Sequence, residues 1–306
     1  MTDTEHKQVA VIGGGGVMGH GIAIACLRAG HSVTIISRRT ESLERGLVLV
    51  ADGDYGLNAT VRRGKLTPEE AEECLARVRG TCSLEEGVAG ADIVFESVDE
   101  DLAAKHAVLR AAESAAPAHA LFASGTSAIM IGELAAAMED PSRLAGTHWF
   151  FPANVMKLVE VARSELVSES VHAAMVEFLV SLGKRPVAVK DSPGFFLTRF
   201  VNVWVAEAIR LIEAGVAGPA EIDEMVKAGL GWPMGVFELM DGSGGFEAWY
   251  HAQQYLRERC GERYDIPPLA EQALAEGYLG DPKLNPGSRG GWHDFCRDRA
   301  GASAPA

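Results

Sequence analysis

The stretch Gly14-Gly15-Gly16-Val17-Met18-Gly19 lies between the apolar run Val9-Ala10-Val11-Ile12 and the apolar-periodic run Ile22-Ala23-Ile24-Ala25-Cys26-Leu27. Its order is strand, glycine turn, helix. Gly14, Gly16 and Gly19 fit G-x-G-x-x-G, which serves a tight turn, close backbone approach to a pyrophosphate, and close helix–strand packing. A helix beginning near Val17, with Met18 in its first turn, would aim free N–H groups and the positive end of its dipole at phosphates. Taken alone, four glycines in a row read equally as a plain flexible turn. Here His31-Ser32-Val33-Thr34-Ile35-Ile36 follows the helix after Ala29-Gly30 and completes a strand–helix–strand unit. That unit predicts dinucleotide binding.

The 306 residues, 47% of them hydrophobic, suffice for a large core and two domains. No apolar run approaches the ~20 residues that span a bilayer. The polar start, Met1 to Gln8, lacks the order of a signal peptide. Five scattered cysteines without a CxxC read as reduced thiols, neither a disulfide framework nor a zinc site. The expected location is cytoplasmic, with no membrane partner. A formal charge of −14 argues against nucleic acid as a partner. An anionic ligand would have to find a local basic patch, and Arg62, Arg63 and Lys65 form the clearest one.

Further along, the pattern predicts a long helix from about Glu41 to Arg63. A second helix, opened by Thr67-Pro68-Glu69-Glu70, ends near Gly80. Strands are expected at Ala91–Val98, Ala120–Ser124, Leu144–Trp149, Lys157–Ala162 and Pro186–Val189, with helices between most of them. Such alternation means an open, mainly parallel sheet covered on both faces. After Asp191-Ser192-Pro193-Gly194 only helices are expected, and the tail from Arg299 reads as disordered. The helix from Phe195 carries Phe196, Phe200, Val203, Trp204 and Ile209 on more than one face, which predicts a twofold partner and hence a homodimer.

One segment carries more chemistry than the rest: Gly146-Thr147-His148-Trp149-Phe150-Phe151-Pro152-Ala153-Asn154-Val155-Met156-Lys157-Leu158-Val159-Glu160-Val161. With Ala123-Ser124-Gly125-Thr126-Ser127, Asp191-Ser192-Pro193-Gly194-Phe195 and Gly231-Trp232-Pro233-Met234-Gly235, it resembles the 3-hydroxyacyl-CoA dehydrogenase family. The likeness covers residues 8 to 245 and fades thereafter. It implies an α/β fold, a Rossmann-type doubly wound, mainly parallel sheet (1–190) followed by an all-helical C-terminal substrate and dimerisation domain (191–306). It also implies a nicotinamide cofactor and a small-molecule acyl substrate linked to coenzyme A.

The chemistry agrees with the likeness. Oxidising a secondary alcohol by hydride loss needs a base for the hydroxyl proton, and imidazole has nearly the right pKa. A group on the other ring nitrogen must set the tautomer and stabilise the imidazolium. His148 and Glu160 lie at facing ends of two expected strands, and the resemblance implies that they pair, with Ser127 bonding the reacting oxygen. A lone histidine is more often a satisfied core residue, and a lone glutamate a solvated strand end. Glu100 and Lys105 match the family's cofactor-side contacts, though an i, i+5 pair on a helix is otherwise ordinary. Arg62, Arg63 and Lys65 would suit coenzyme A phosphates or a solvated helix end.

The family pattern is broken at several polar positions. Ser37, followed by Arg38 and Arg39, stands where the family has a ribose-binding acid, which predicts NADP in preference to NAD. Phe151, Thr198 and Gly125 stand where the family has amide or hydroxyl side chains. Phe151 and Thr198 are therefore expected at the substrate, and the preferred substrate is expected to differ from a short unbranched 3-hydroxyacyl-CoA. The rival readings are a dehydrogenase of a free hydroxy acid or carrier-bound acyl group, and a non-catalytic nucleotide-binding protein.

Overall fold

The computed structural model describes residues 6–242, 245–282, 285 and 287–302. The chain divides into two compact units, one ending at Phe195 and the other starting at Phe196. The first unit begins β1 (Gln8–Ile12), α1 (Gly19–Arg28), β2 (Ser32–Ile36), α2 (Thr40–Asp52), α3 (Leu57–Arg62), α4 (Pro68–Ala76) and β3 (Val78–Thr81). It continues α5 (Leu84–Val88), β4 (Ile93–Glu96), α6 (Leu102–Ala115), β5 (Leu121–Ser124), α7 (Ile131–Ala135) and β6 (Leu144–Trp149). It closes with β7 (Leu158–Arg163), α8 (Glu169–Ser181) and β8 (Arg185–Lys190).

These eight strands form one sheet in the order β3-β2-β1-β4-β5-β6-β7-β8. Every pairing is parallel except β6 with β7. The strand order reverses between β1 and β4, the switch point where such sheets open a crevice at the carboxyl ends of their strands. Because β1, β4, β5 and β6 run the same way, the segments that follow them all emerge on one edge. Both faces are covered: Ile22, Leu27, Val50 and Met175 pack on one, Leu109, Ile131 and Leu134 on the other. Strands buried on both faces read as continuous apolar runs, which is why β1 and β4 were legible in sequence.

Two stretches depart from expectation. The single helix anticipated over 41–63 breaks at Gly53–Gly56, where Gly53 ends α2 and Gly56 opens α3. The helix expected to reach Gly80 stops at Ala76, and Val78–Thr81 adds to β2 as an edge strand instead. Arg79 Nε donates to Thr34 Oγ1 at 2.8 Å and holds that edge. A polar, half-exposed edge strand carries little hydrophobic signal, so nothing in its pattern announces it.

The second unit is helical: α9 (Leu197–Glu213), α10 (Pro219–Leu230), α11 (Val236–Gly242), α12 (Gly245–Cys260), α13 (Pro268–Ala275) and α14 (Trp292–Ala302). Its core gathers Ile209, Phe237, Phe246, Trp249, Trp292 and Phe295. The tail expected to be disordered from Arg299 is helical to Ala302, and residues 303–306 lie outside the described residues. A buried carboxylate, Asp223, and a half-buried one, Asp241, stitch this unit together. Asp223 accepts from Phe237 N at 2.8 Å, Glu238 N at 3.0 Å and His293 Nε2 at 2.9 Å. Asp241 accepts from Trp292 N at 2.9 Å, and burial pushes its carboxyl up to about 6 against that bond. Among the described residues no helix is long and apolar enough to cross a membrane.

Candidate active site

The glycine turn follows β1 at the switch point. Gly13 takes the left-handed conformation, φ +80°, and a Cβ there would sit 2.2 Å from Ser97 O. The tight turn thus begins one residue before the G-x-G-x-x-G register anticipated it. Helix α1 starts at Gly19, two residues after the expected Val17, with Met18 as its N-cap and no side chain capping its amides. Gly14, Gly16, Val17 and Met18 therefore lie in the turn itself. A Cβ on Gly19 would lie 2.5 Å from Gly13 O, so the turn folds back on the helix start as close packing requires. Uncapped helix amides behind a turn that leaves no room for side chains fit a pyrophosphate. His20, unremarked in the sequence, closes the first turn: its Nδ1 lies 2.8 Å from Gly16 O, and burial holds its pKa below the ordinary value.

Ser37, at the end of β2, is buried, and its Oγ accepts from Gly15 N at 3.2 Å. Its hydroxyl belongs to the glycine turn rather than standing free at the strand end. Helix α2 leans on the same turn, since a Cβ on Gly46 would meet Gly15 Cα at 2.7 Å, while Arg45 Nη2 donates to Gly15 O at 3.3 Å. A glycine in mid-helix costs about 1 kcal/mol and was the available signal for that contact. Arg38 is solvent-exposed, its side chain 88% accessible and 3.8 Å from Asp99. Arg39 is exposed at the N-cap of α2.

The antiparallel register of β6 and β7 sets His148 directly opposite Glu160. Directly opposed residues share a face of the sheet, so twelve residues of chain become one hydrogen bond. His148 Nδ1 lies 2.7 Å from Glu160 Oε2, with side-chain exposures of 8% and 3%. Phe150 and Phe195 flank the imidazole at ring-centroid distances of 4.4 and 6.0 Å. With Nδ1 held, exchange of a proton with any ligand falls to Nε2. β5 and β6 pair with Ser124 opposite Gly146, so Ser127 and His148 both follow these partners toward the same edge.

Ser127 sits in a turn gathered by one carboxylate oxygen. Glu100 Oε1 accepts from Thr126 Oγ1 (2.6 Å), Ser127 N (2.7 Å), Ala128 N (3.0 Å) and Ser127 Oγ (3.2 Å). Lys105 lies behind it, 1% exposed, its ammonium 2.8 Å from Glu96 Oε1, 3.2 Å from Glu100 Oε2 and 3.2 Å from Val98 O. Three partners match the three donors of an ammonium. Ser124 Oγ donates to Glu96 Oε2 at 2.5 Å. Burial alone would push the Glu100 carboxyl up, but the Lys105 charge and the turn's hydrogen bonds hold it below its usual value. Burial likewise works against the charged form of Lys105, and Glu96 and Glu100 outweigh it and raise its pKa. Glu96 and Ser124 escaped the sequence reading because they looked like strand residues.

A cavity of about 620 Å³ in the same unit is lined by Arg28, Arg63, Lys65, Lys157, Lys184 and Tyr55 among others, and no lining residue is acidic. Arg63 and Lys65 belong to the basic cluster seen in sequence; Arg62, on α3, is not among the lining residues. Burial pushes Lys184 down to about 8, although it donates to Ala153 O at 2.6 Å and Met156 O at 2.9 Å. Half-buried Phe151 meets Tyr55 edge-on at 5.7 Å, and Asn154 Nδ2 donates to Tyr55 O at 2.7 Å. The loop after His148 is thereby tied to the turn between α2 and α3. Thr198 is half-buried in the first turn of α9, in the second unit.

The sequence matches the 3-hydroxyacyl-CoA dehydrogenase NAD binding domain over residues 8–192 and the family's C-terminal domain over residues 194–287. It is 37% identical over 242 residues to hydroxyacyl-coenzyme A dehydrogenase, mitochondrial, of Homo sapiens, covering 77% of this chain and 75% of that one. The crystal structure of (S)-3-hydroxybutyryl-CoA dehydrogenase from Ralstonia eutropha superposes with a TM-score of 0.83 at 32% identity, covering 91% of this chain and 97% of the other. FadB2 of M. tuberculosis gives a TM-score of 0.85 at 32% identity, covering 90% and 95%. A nicotinamide-binding sheet, an opposed His–Glu pair at its carboxyl edge and matches across both units lead to one conclusion: this chain belongs to the 3-hydroxyacyl-CoA dehydrogenase family of oxidoreductases.

Proposed function

We propose that this enzyme transfers hydride between NADP(H) and a 3-hydroxyacyl/3-oxoacyl substrate carried as a coenzyme A thioester, with His148 as general base. The observation that carries the proposal is the buried 2.7 Å contact between His148 Nδ1 and Glu160 at the carboxyl edge of the sheet. The nicotinamide, when bound, supplies the hydride acceptor or donor. His148 Nε2 takes the hydroxyl proton in oxidation and returns it in reduction, while the Glu160 carboxylate compensates the imidazolium. Ser127 holds the reacting oxygen. The glycine turn from Gly14 to Gly19 and the start of α1 hold the pyrophosphate, with Glu100 beside them. The cavity, whose charged lining residues are all cationic, in a chain of net charge −14, supports a polyanionic carrier such as coenzyme A over a free hydroxy acid.

NADP is favoured because Ser37 puts no carboxylate against a 2′-phosphate, and Arg38 and Arg39 are exposed to pair with it. Restoring an acid with Ser37→Asp should lower kcat/KM for NADPH by about 10–100-fold, the worth of losing a charge-assisted hydrogen bond and gaining repulsion. A wild-type preference for NADH overturns the cofactor choice. A homodimer is favoured by the apolar side chains that α9 leaves accessible, Phe196 at 60% and Phe200 at 42%. Sedimentation as a monomer at micromolar concentration overturns it.

Phe151 supports a preference away from short unbranched acyl-CoA substrates, since its ring offers no hydrogen bond and packs on Tyr55. The deciding experiment follows NADPH consumption with acetoacetyl-CoA, longer 3-oxoacyl-CoA esters, carrier-bound esters and free oxo acids side by side. Turnover of the CoA esters supports the proposal, and silence with all of them removes it.

A further inference from the structure

We infer that Phe195 is a positioning residue: a turn from Asp191 to Phe195, bonded to the segment that follows Ser127, holds its ring against the His148 imidazole. The inference rests on the reading of His148 as general base. Among the described residues other than glycine, Phe195 alone has a positive φ, +47°. Contact between Cβ and the backbone makes that conformation costly for a bulky side chain, and it persists only where the surroundings over-determine it. Glycine would form the same backbone at less cost, so the ring calls for its own explanation.

Asp191 follows β8, and its carboxylate accepts from Ile131 N and Gly132 N, each at 2.8 Å. Gly194 N donates to Ala128 O at 2.8 Å. Phe195 N donates to Ser192 O at 2.9 Å and closes a turn with Pro193 and Gly194 at its centre, the latter at φ +69°. That residue pair suits a type II turn. Three hydrogen bonds thus tie the turn to residues 128–132, and the Phe195 side chain leaves it in a fixed direction. The side chain is 3% exposed and belongs to the apolar cluster that holds Ile129 and Ile131. Its ring lies 6.0 Å from the His148 imidazole, centroid to centroid, at 45°. Glu160 holds the imidazole at Nδ1, and Phe150 stands 4.4 Å from it. A ring held at one nitrogen can still pivot about that bond. The two phenyl rings take that freedom away and so fix where Nε2 points, and positioning of this kind feeds directly into rate.

Phe195→Gly tests this, because it keeps the turn and relieves the backbone while removing the ring. Acylation of imidazoles by diethyl pyrocarbonate, followed peptide by peptide in a mass spectrometer, reads His148 without needing activity. Its rate at His148 should rise at least fivefold in Phe195→Gly while the rate at His293, in the helical unit, stays within twofold. An unchanged rate at His148 overturns the inference. In steady-state kinetics, kcat should fall at least tenfold with the cofactor KM within threefold of wild type. Phe195→Leu keeps apolar bulk without the flat ring and should restore part of the loss, leaving about a threefold change in each reading. If Phe195→Gly fails to fold, that threefold change in Phe195→Leu carries both measurements. Wild-type kcat in a folded Phe195→Gly would reduce the residue to backbone packing, and a rise in cofactor KM with kcat intact would make it a cofactor contact; either overturns the inference. Wild-type silence toward every hydroxyacyl ester would remove the proposed function, while the acylation rates would still decide whether Phe195 holds His148.

Discussion

Among the described residues, two histidines contact a buried carboxylate at similar length and to different use. His148 and Glu160 face each other across antiparallel strands at 2.7 Å; His293 and Asp223 join two helices at 2.9 Å. Both carboxylates are buried, with side-chain exposures of 3% and 2%. The imidazoles differ: His148 is 8% exposed between two phenyl rings, His293 36% exposed at the start of α14. The carboxylates differ as well. Asp223 spends oxygens on two amides of α11 as well as on its histidine. A histidine and an acid in contact therefore do not make an active site. His148 stands at the strand edge that also carries the glycine turn and Ser127, whereas His293 completes a helix cap.

The sharpest way to break that comparison is to remove each imidazole. His148→Ala should lower turnover by about 10²–10⁴-fold, the usual worth of general acid–base catalysis, with cofactor affinity nearly unchanged. His293→Ala should leave turnover within about twofold and cost about 1–2 kcal/mol of stability, one hydrogen bond to a charged group. Near-normal turnover in His148→Ala would dissolve the distinction. The carboxylates should divide in the same way. Glu160→Gln should keep the fold and lose rate, because the imidazolium loses its counter-charge. Asp223→Asn should spare the rate constants and cost about 3 kcal/mol in chemical denaturation, as for a broken buried pair.

The environment of α14 gives a third, pH-dependent contrast. Asp241 has a folded pKa of about 6 against an unfolded value near 3.9, because burial disfavours its charged form. Stability from this group is complete below about pH 4 and declines as the pH rises through 6, where the unfolded chain ionises more readily. Asp241→Asn removes that dependence. The stability of wild type relative to this variant should therefore fall by about 2 kcal/mol from pH 4.5 to 7 in paired melts. A constant difference would refute the buried-acid assignment. The smallest expected effect is in the loop that follows His148. Phe151→Asn should improve kcat/KM for acetoacetyl-CoA by up to roughly tenfold, the value of one regained neutral hydrogen bond. Wild-type kcat/KM already near 10⁶ M⁻¹s⁻¹, well inside the range of efficient enzymes, would leave nothing to improve.

Much of this was written in local pattern. Apolar strands such as Val9–Ile12, the glycine run and the switch to helices after Phe195 are short-range signals that physics reads without tertiary help. So is the chemistry available to His148 and Glu160. Their contact was implied by a resemblance and by facing strand ends, and strand register turned it into one hydrogen bond. The edge strand Val78–Thr81 had no such signal, since it depends on what packs against it, whereas the break at Gly53–Gly56 had a local one in Asp52-Gly53 and Gly56. The contact of the buried Lys105 ammonium with Glu96, a neighbour nine residues away, is one that no spacing rule reveals. Ser37 likewise looked like a free hydroxyl until Gly15 claimed it. Sequence by itself determined which elements form and which side chains can do acid–base chemistry, because propensity, periodicity and pKa are properties of the residue and its near neighbours. Only the tertiary structure decided which polar groups spend their hydrogen bonds inside the protein, because that depends on partners brought together from distant parts of the chain.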